Sequence, residues 1–423
     1  MAIKMQRIMR PGVTALFASA MLASASQAAT YQANATTLAT VMAQAVGGDT
    51  IILSGAFPET NLRNLTYTVP LVLDARAAQF PGGLNIRDSM GITVKGGTFG
   101  SATILPRIGR GIDINGGGNI RVEGSAFQGV AGVGTGLLAR NADRITVTKS
   151  TFTGLKLGLG VQTVSTSALT NNVFTNNSSD GINVADSRVV SVTGNICRGG
   201  SPAVGAHPDC VQLWSVAGQP VQSSIRVVNN KAYGPTQGFT SFDPETASGR
   251  ALTFESNYLA TSFPQGIACY GCVNSIFRNN TLVTLPEAQW RTSLNVVGGS
   301  GNTIIGNQFF DNRIAQSQDG EPAVGMDNLL ANIDLLWPDF GSLGAGVLEI
   351  DGSAFGTVTN SDLTGVVDVS SDVTLTSMAM RGMAPPVSGF SAAVPEPASW
   401  ALWISGFGLA GLGLRRRRVP AHG

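Results

Sequence analysis

Nine times between Val94 and Phe309 the chain repeats one pattern: an apolar residue, two others, a small or amide residue, a spacer and a second apolar residue. The small or amide positions are Gly97, Ser125, Ser150, Asn172, Asn195, Asn230, Asn257, Asn280 and Asn307. Three residues before them stand Val94, Val122, Val147, Leu169, Val192, Val227, Phe254, Phe277 and Ile304. Two residues after them stand Phe99, Phe127, Phe152, Phe174, Cys197, Ala232, Leu259, Leu282 and Phe309. Successive repeats lie 28, 25, 22, 23, 35, 27, 23 and 27 residues apart. That is the period of a solenoid, since a propeller blade needs roughly 40 to 50 residues.

A unit this small cannot bury its own apolar face, so its neighbours must cover it. Within each unit the alternation describes a short strand, and the Asn is predicted to supply the left-handed bend that ends it. If turns of chain stack about 4.8 Å apart, the six Asn from Asn172 to Asn307 form a hydrogen-bonded ladder, and Phe127, Phe152 and Phe174 superpose inside. The expected fold is all-β, a right-handed parallel β-helix of about nine to eleven coils.

The segments on either side of the repeat divide the chain further. Thr37 to Ala45 reads as a short amphipathic helix capping the first coil, and Gly48-Asp49-Thr50-Ile51-Ile52-Leu53 as a turn feeding an apolar strand. The β-helix is expected over 29–320, with a C-terminal cap or irregular extension over 321–383. There Met326–Trp337 has apolar residues near helical spacing and Val358–Leu363 echoes the coil pattern. Residues 384–393, rich in Pro, Ser, Gly and Ala, read as a flexible linker.

Both ends of the sequence read as addresses. Lys4, Arg7 and Arg10 precede the apolar run Val13–Ala25, and Ser26-Gln27-Ala28 offers a small-residue cleavage site, so 1–28 is expected to be a secretory signal peptide. Residues 394–423 begin with Val394-Pro395-Glu396-Pro397, continue through the uncharged stretch 398–414, and reach Arg415–Arg418. The stretch 398–414 can just span a bilayer, and the arginines favour a cytoplasmic end. Seven of the 27 basic residues fall before Ala29 or after Ala398, where no acidic residue stands; 20 then face 26 acidic ones, a net charge of −6. A mildly acidic chain without a basic stripe disfavours nucleic acid as a partner.

The GDTIIL segment, LVLDARAAQFPGGLNI at 71–86, ITVKGGTF at 92–99 and the Asn-punctuated coils resemble the pectate-lyase-like superfamily of right-handed β-helix proteins. The resemblance covers roughly residues 35 to 315. It implies the fold, and it is similar across lyases, hydrolases, epimerases and non-catalytic adhesins. The order of elements in 394–423 resembles the PEP-CTERM sorting signal of Gram-negative bacteria. That resemblance implies export across the inner membrane by way of signal peptidase. Transient anchoring by the C-terminal helix, removal by an exosortase and arrival at the cell surface or extracellular matrix would follow; an uncleaved anchor is the alternative. The expected partner is an extracellular polysaccharide, with no cofactor and a monomeric state.

Four cysteines in an exported chain can pair. Cys269 and Cys272 are spaced for a local disulfide or a pair of thiols, and a Cys197–Cys210 bridge is the other candidate, with simple packing at Cys197 the alternative. With no second C-x-x-C, zinc is not expected. The coils also lack the clustered Asp and Glu of a strong calcium site, so the calcium-dependent member of the resemblance does not carry over.

Chemistry is expected where the period breaks. The 35-residue step from Asn195 to Asn230 holds an insertion, Arg198–Gln222, and insertions in a solenoid are loops on one face. Aligning the strands beginning at Gly181, Cys210, Gly238 and Gly266 turns Ile182, Val211, Phe239 and Ile267 inward. It sends Asn183, Gln212, Thr240 and Ala268 outward. Trp214, Phe242 and Tyr270 then stack on the outside as a surface for sugar rings, or beneath a covering loop. Asp180 and Asp209 lie about 5 Å apart at the strand entrance. They can serve as acid and base on a glycosidic bond or simply shape a turn. His207 can act as a base beside a uronate, with Arg226, Arg250 or Lys231 neutralising the carboxylate and Tyr233 as proton donor. An ordinary loop histidine is the other reading. The resemblance implies such an Arg, Lys or His base in lyases and epimerases of this fold. The function expected is action on polysaccharide by a lyase-type enzyme, with a glycan-binding surface protein or an Asp180/Asp209 glycoside hydrolase as alternatives.

Overall fold

Alternating apolar residues along three separate segments of each repeat are enough to build three walls around one core. The structure, a computed structural model, describes residues 27–311 apart from 102–108, 131, 203–207, 217–218, 220, 243–248 and 298. It is a right-handed all-β parallel solenoid of about nine turns. The terminal addresses and the extension expected from 321 onward lie outside the described residues.

The first wall is the column of apolar residues three before the ladder. Val94 pairs with Val122, then Val147, Leu169, Val192, Val227, Phe254, Phe277 and Ile304 follow in unbroken parallel register. The second wall is the column two after: Phe99, Phe127, Phe152, Phe174, Cys197, Ala232, Leu259, Leu282 and Phe309. A third wall carries Ile182, Val211, Phe239, Ile267 and Leu294 inward, all fully buried.

The phenyl rings make one file from Phe57 through Phe80, Phe99, Phe127 and Phe152 to Phe174, with centroids 4.5 to 5.1 Å apart. Each such pair contributes about 0.5–1.5 kcal/mol beyond its buried area. Phe57 and Phe80 extend the file beyond what the repeat predicts, because they precede its first full copy.

The Asn ladder runs through the whole second half of the solenoid. Asn172 donates both its backbone N–H and its Nδ2 to Asn195 Oδ1, and the same two bonds recur from Asn195 to Asn230, Asn257, Asn280 and Asn307. The second Nδ2 hydrogen goes to a carbonyl of the neighbouring coil, as from Asn230 to Val192 O at 2.9 Å. Toward the N-terminus Ser150 and Ser125 continue the file with N–H to side-chain oxygen bonds.

One expectation is corrected by this geometry. The left-handed residue at the corner is the one before the ladder position: Asn171, Gly194, Asn229, Ser256, Asn279 and Gly306 have φ between 54° and 69°. The ladder Asn must hold its amide inside the stack, so the residue before it takes the bend, and several of those are Asn or Gly, which tolerate it.

At the start, a helix spans Leu38–Gln44 between the strands Thr30–Ala33 and Thr50–Ala56, and its Leu38 is buried with the core. No helix among the described residues is long and apolar enough to cross a membrane.

Candidate functional site

The period break at Asn195–Asn230 consists of two loops flanking a regular strand of the third wall, Asp209–Trp214. Its register is Ile182 with Val211, Asn183 with Gln212 and Ala185 with Trp214 below, and Gln212 with Thr240 and Trp214 with Phe242 above. The residues immediately on either side of the strand are tied down. Pro208 O accepts from Gln237 N at 2.7 Å and Thr236 Oγ1 at 2.9 Å, while Val216 N donates to Asp186 Oδ1 at 2.6 Å.

This strand assembles a connected polar network on the outer surface. Asp180 Oδ1 accepts from Asp209 N at 3.2 Å, and its Oδ2 accepts from Asn183 Nδ2 at 3.1 Å. Asn183 Nδ2 also donates to Gln212 Oε1 at 2.8 Å, and Asn183 Oδ1 accepts from Trp214 Nε1 at 2.6 Å. Asp209 Oδ1 accepts from Thr240 Oγ1 at 2.8 Å. Both carboxylates are buried, at 8% exposure for Asp180 and 1% for Asp209. A recess open to solvent lies beside Asp209 and is lined also by Phe174, Cys197, Arg198, Pro208 and Thr236.

The outward column differs from its sequence reading in exposure. Trp214 and Tyr270 are half-buried rather than exposed, and Thr240 and Ala268 are fully buried although they point away from the core. Local alternation sets direction only; what packs over the outer surface is a tertiary matter. Tyr270 accepts a bond from Gln265 Nε2 at 2.9 Å, and burial pushes its phenol above the usual tyrosine range. Phe242 follows Trp214 in backbone register.

Other predicted site residues do not converge here. Arg226 sits on the first wall with Ser191 and Thr253 as register partners and reaches Glu255, which Arg278 also binds at 2.8 Å. Arg250 is exposed at a bridge between Ser223 and Val273, before the first wall. Lys231 and Tyr233 belong to the second wall, where the Tyr233 ring meets Tyr258 at 5.7 Å. His207 lies outside the described residues. The structure thus joins Asp180, Asn183, Asp209, Gln212 and Trp214, and spreads Arg226, Arg250, Lys231 and Tyr233 over other surfaces.

The cysteines are all bonded: Cys197 to Cys210, with Cα atoms 5.6 Å apart, and Cys269 to Cys272. Among the described residues no group of three or more His, Cys, Asp or Glu is placed to hold a metal.

Sequence reading missed one charged group on the same wall. Asp113, 1% exposed, is held by Arg87, Arg110 and Arg140. The signal was available in the outward columns, because Asn85 and Asp113 precede Asn183 in one and Arg87 and Arg140 precede Trp214 in the other.

The family model for the right-handed beta helix region matches residues 80–231, and that for the PEP-CTERM protein-sorting motif matches 393–418. The chain is a right-handed parallel β-helix protein with a PEP-CTERM sorting motif. The motif implies exosortase processing, export and membrane-associated sorting in Gram-negative bacteria. No curated protein matches the chain. Among solved structures, DFA-IIIase from Arthrobacter chlorophenolicus A6 is similar at 12% identity and a TM-score of 0.49, covering 80% of this chain and 90% of its own. The surface adhesin PfbA of Streptococcus pneumoniae is similar at 13% identity and 0.45, covering 67% and 82%. The Dettilon tailspike protein gp208 is similar at 16% and 0.49, covering 66% of this β-helix chain and 58% of its own.

Proposed function

We propose that this exported β-helix protein binds an extracellular polysaccharide along the outer surface of its third wall. One observation carries the reading: Asn183, Gln212 and Trp214 stand on adjacent strands and are joined by hydrogen bonds of 2.6 and 2.8 Å, with Tyr270 further along the Trp214 column. Aromatic rings with polar tips suit sugars, which present an apolar face and a rim of hydroxyls. A polysaccharide is a periodic ligand, and this surface repeats every 4.8 Å or so. The helix Leu38–Gln44 would cover the first coil, and signal peptidase and exosortase would remove the two ends.

Uronate lyase chemistry needs a base and a neutralising cation within reach of one sugar. The dispersal of Arg226, Arg250, Lys231 and Tyr233 argues against that set. Hydrolysis is the second reading, favoured by Asp180 and Asp209, which stand one coil apart and are joined through the Asp209 N–H; the coil spacing of about 5 Å is close to the separation of a retaining carboxyl pair.

The test uses purified protein and a panel of neutral and acidic polysaccharides, with retention, reducing ends and ultraviolet absorbance followed together. Retention without product, lost in Trp214→Ala, supports the binding reading. Failure to retain any glycan would overturn it. Reducing ends that disappear in Asp209→Asn would establish the hydrolase instead, and an unsaturated product the lyase.

A further inference from the structure

The third wall carries charge as well as amides. Toward the N-terminus its outward columns hold Asn61, Asn85 and Asp113 in one, and Arg63, Arg87 and Arg140 in the other. Asp113 accepts from Arg87 Nη2 at 2.5 Å and Arg110 Nη1 at 3.2 Å on Oδ2, and from Arg140 Nη2 at 3.3 Å on Oδ1. A buried carboxylate is compensated by one well-placed cation; this one has three. Even counting Glu59, which accepts from Asn85 Nδ2 at 3.3 Å, the group with Arg63 sets four cations against two carboxylates. The excess stands out in a chain that is otherwise acidic between its terminal segments.

Among the described residues the guanidiniums also keep donors to spare. The side chains of Arg87, Arg110 and Arg140 keep 24%, 32% and 30% of their surface open. Arg140 Nε is buried without an acceptor among the described residues. Each Arg presents five donors in a fixed fork, and Asp113 has two oxygens to share among three forks. The side chains are ordered by Asp113 in advance, so an incoming anion does not have to order them itself.

We propose that this cluster is an anion subsite of the glycan-binding wall, taking the carboxylate or sulfate groups of an acidic polysaccharide. The inference rests on reading that wall as the polysaccharide surface. Asp113 is separated from Asn183 by three strand steps, through Leu138 and Gly160. At about 4.8 Å a step this is some 14 Å, so a single glycan chain can lie over both. The arginines select charge and the amides and Trp214 read the sugar; uronate carboxylate and sulfate ester both present paired acceptor oxygens to which a guanidinium fork can donate.

The experiment measures retention of the full chain on polygalacturonate, a sulfated galactan and a neutral glucan, by affinity electrophoresis at rising salt. Wild type is expected to hold at least one acidic polymer about tenfold more tightly than the neutral one, with affinity falling steeply as salt rises. Arg110→Gln/Arg140→Gln should abolish that preference, bringing retention of the acidic polymer down to that of the neutral one, and the two acidic arms tell carboxylate from sulfate. Equal retention of acidic and neutral polymers, or a preference indifferent to salt, would overturn the subsite while leaving the binding wall standing. Retention of none would remove both. The salt series needs only wild-type protein, so the outcome does not depend on how well the variant folds.

Discussion

Cys197 and Cys210 are bonded at the corner where the coils below them set a phenyl ring against a glycine. A Cβ on Gly136 would lie 2.5 Å from Phe152 Cδ1, and one on Gly158 2.5 Å from Phe174 Cδ1. On Gly181 the neighbour becomes Cys197 Sγ at 2.8 Å, and Cys210 holds the next place in the glycine column. The disulfide therefore replaces a ring-over-glycine pair just where the phenyl file ends and the insertion begins. Breaking it in Cys197→Ser/Cys210→Ser should cost about 3 kcal/mol, given the short loop it closes. Cys197→Phe/Cys210→Gly should recover a good part of that by extending the file, whereas Cys197→Phe alone should not, because the Cys210 side chain occupies the space. Urea unfolding of the three variants checks the order.

The ladder predicts a graded response. Removing the Asn230 amide in Asn230→Ala leaves the buried Asn195 N–H and Nδ2 without their acceptor and Val192 O without its donor. Each orphaned group costs roughly 1–3 kcal/mol, so a loss of about 3 kcal/mol or more is expected. Ser125 and Ser150 serve the same file with hydroxyls, and Ser150 Oγ donates to Thr148 O of its own coil rather than to a neighbouring coil. Ser150→Ala should therefore cost less than Asn230→Ala in the same thermal or urea measurement.

The parts of this fold legible in the sequence are those with a local period. Val94 to Ile304 and Phe99 to Phe309 were readable as two walls because each repeat states its inward residues at fixed offsets from one small or amide position. The bend was misread by one residue, since the tolerance of Asn for left-handed geometry does not say which of Asn171 and Asn172 must keep its amide inside. Register also placed Asn183 beside Gln212 and Asp180 beside Asp209. The burial of Thr240 and Ala268 was not legible, because nothing in a strand's own alternation reports what lies over its outer side. The arginines around Asp113 escaped for another reason: outward polar residues look like ordinary solvated surface until the register brings them together.

Burial gives Tyr270 an alkaline signature. Its phenol is held above the ordinary value because the ionised form would lose solvation; the bond from Gln265 opposes this more weakly. The folded pKa is thus raised above the unfolded one, so the contribution is fully present below about pH 10 and is lost as pH rises through the folded value. Tyr67 behaves alike, also raised by burial. Stability should fall as pH rises above about 10, the ordinary tyrosine value, and fall less steeply in Tyr270→Phe. Urea midpoints across that range measure it, and an unchanged slope would mean the ring is solvated.

Trp214 and Asn183 define the sharpest test of the binding wall. Asn183 commits both amide hydrogens, to Asp180 Oδ2 and Gln212 Oε1, and its Oδ1 receives the indole N–H. The ring is therefore oriented by the amide, and the amide by the buried carboxylate, before any ligand arrives. If the ring supplies stacking area, Trp214→Ala should weaken glycan retention about tenfold. Trp214→Phe, which keeps an aromatic face and loses only the N–H, should weaken it less. Asn183→Leu keeps Trp214 but strands its N–H and frees its rotamer, so its effect should fall between the two, with a change in indole fluorescence reporting the lost bond. Equal retention by wild type and Trp214→Ala would mean that this column packs the protein rather than a sugar.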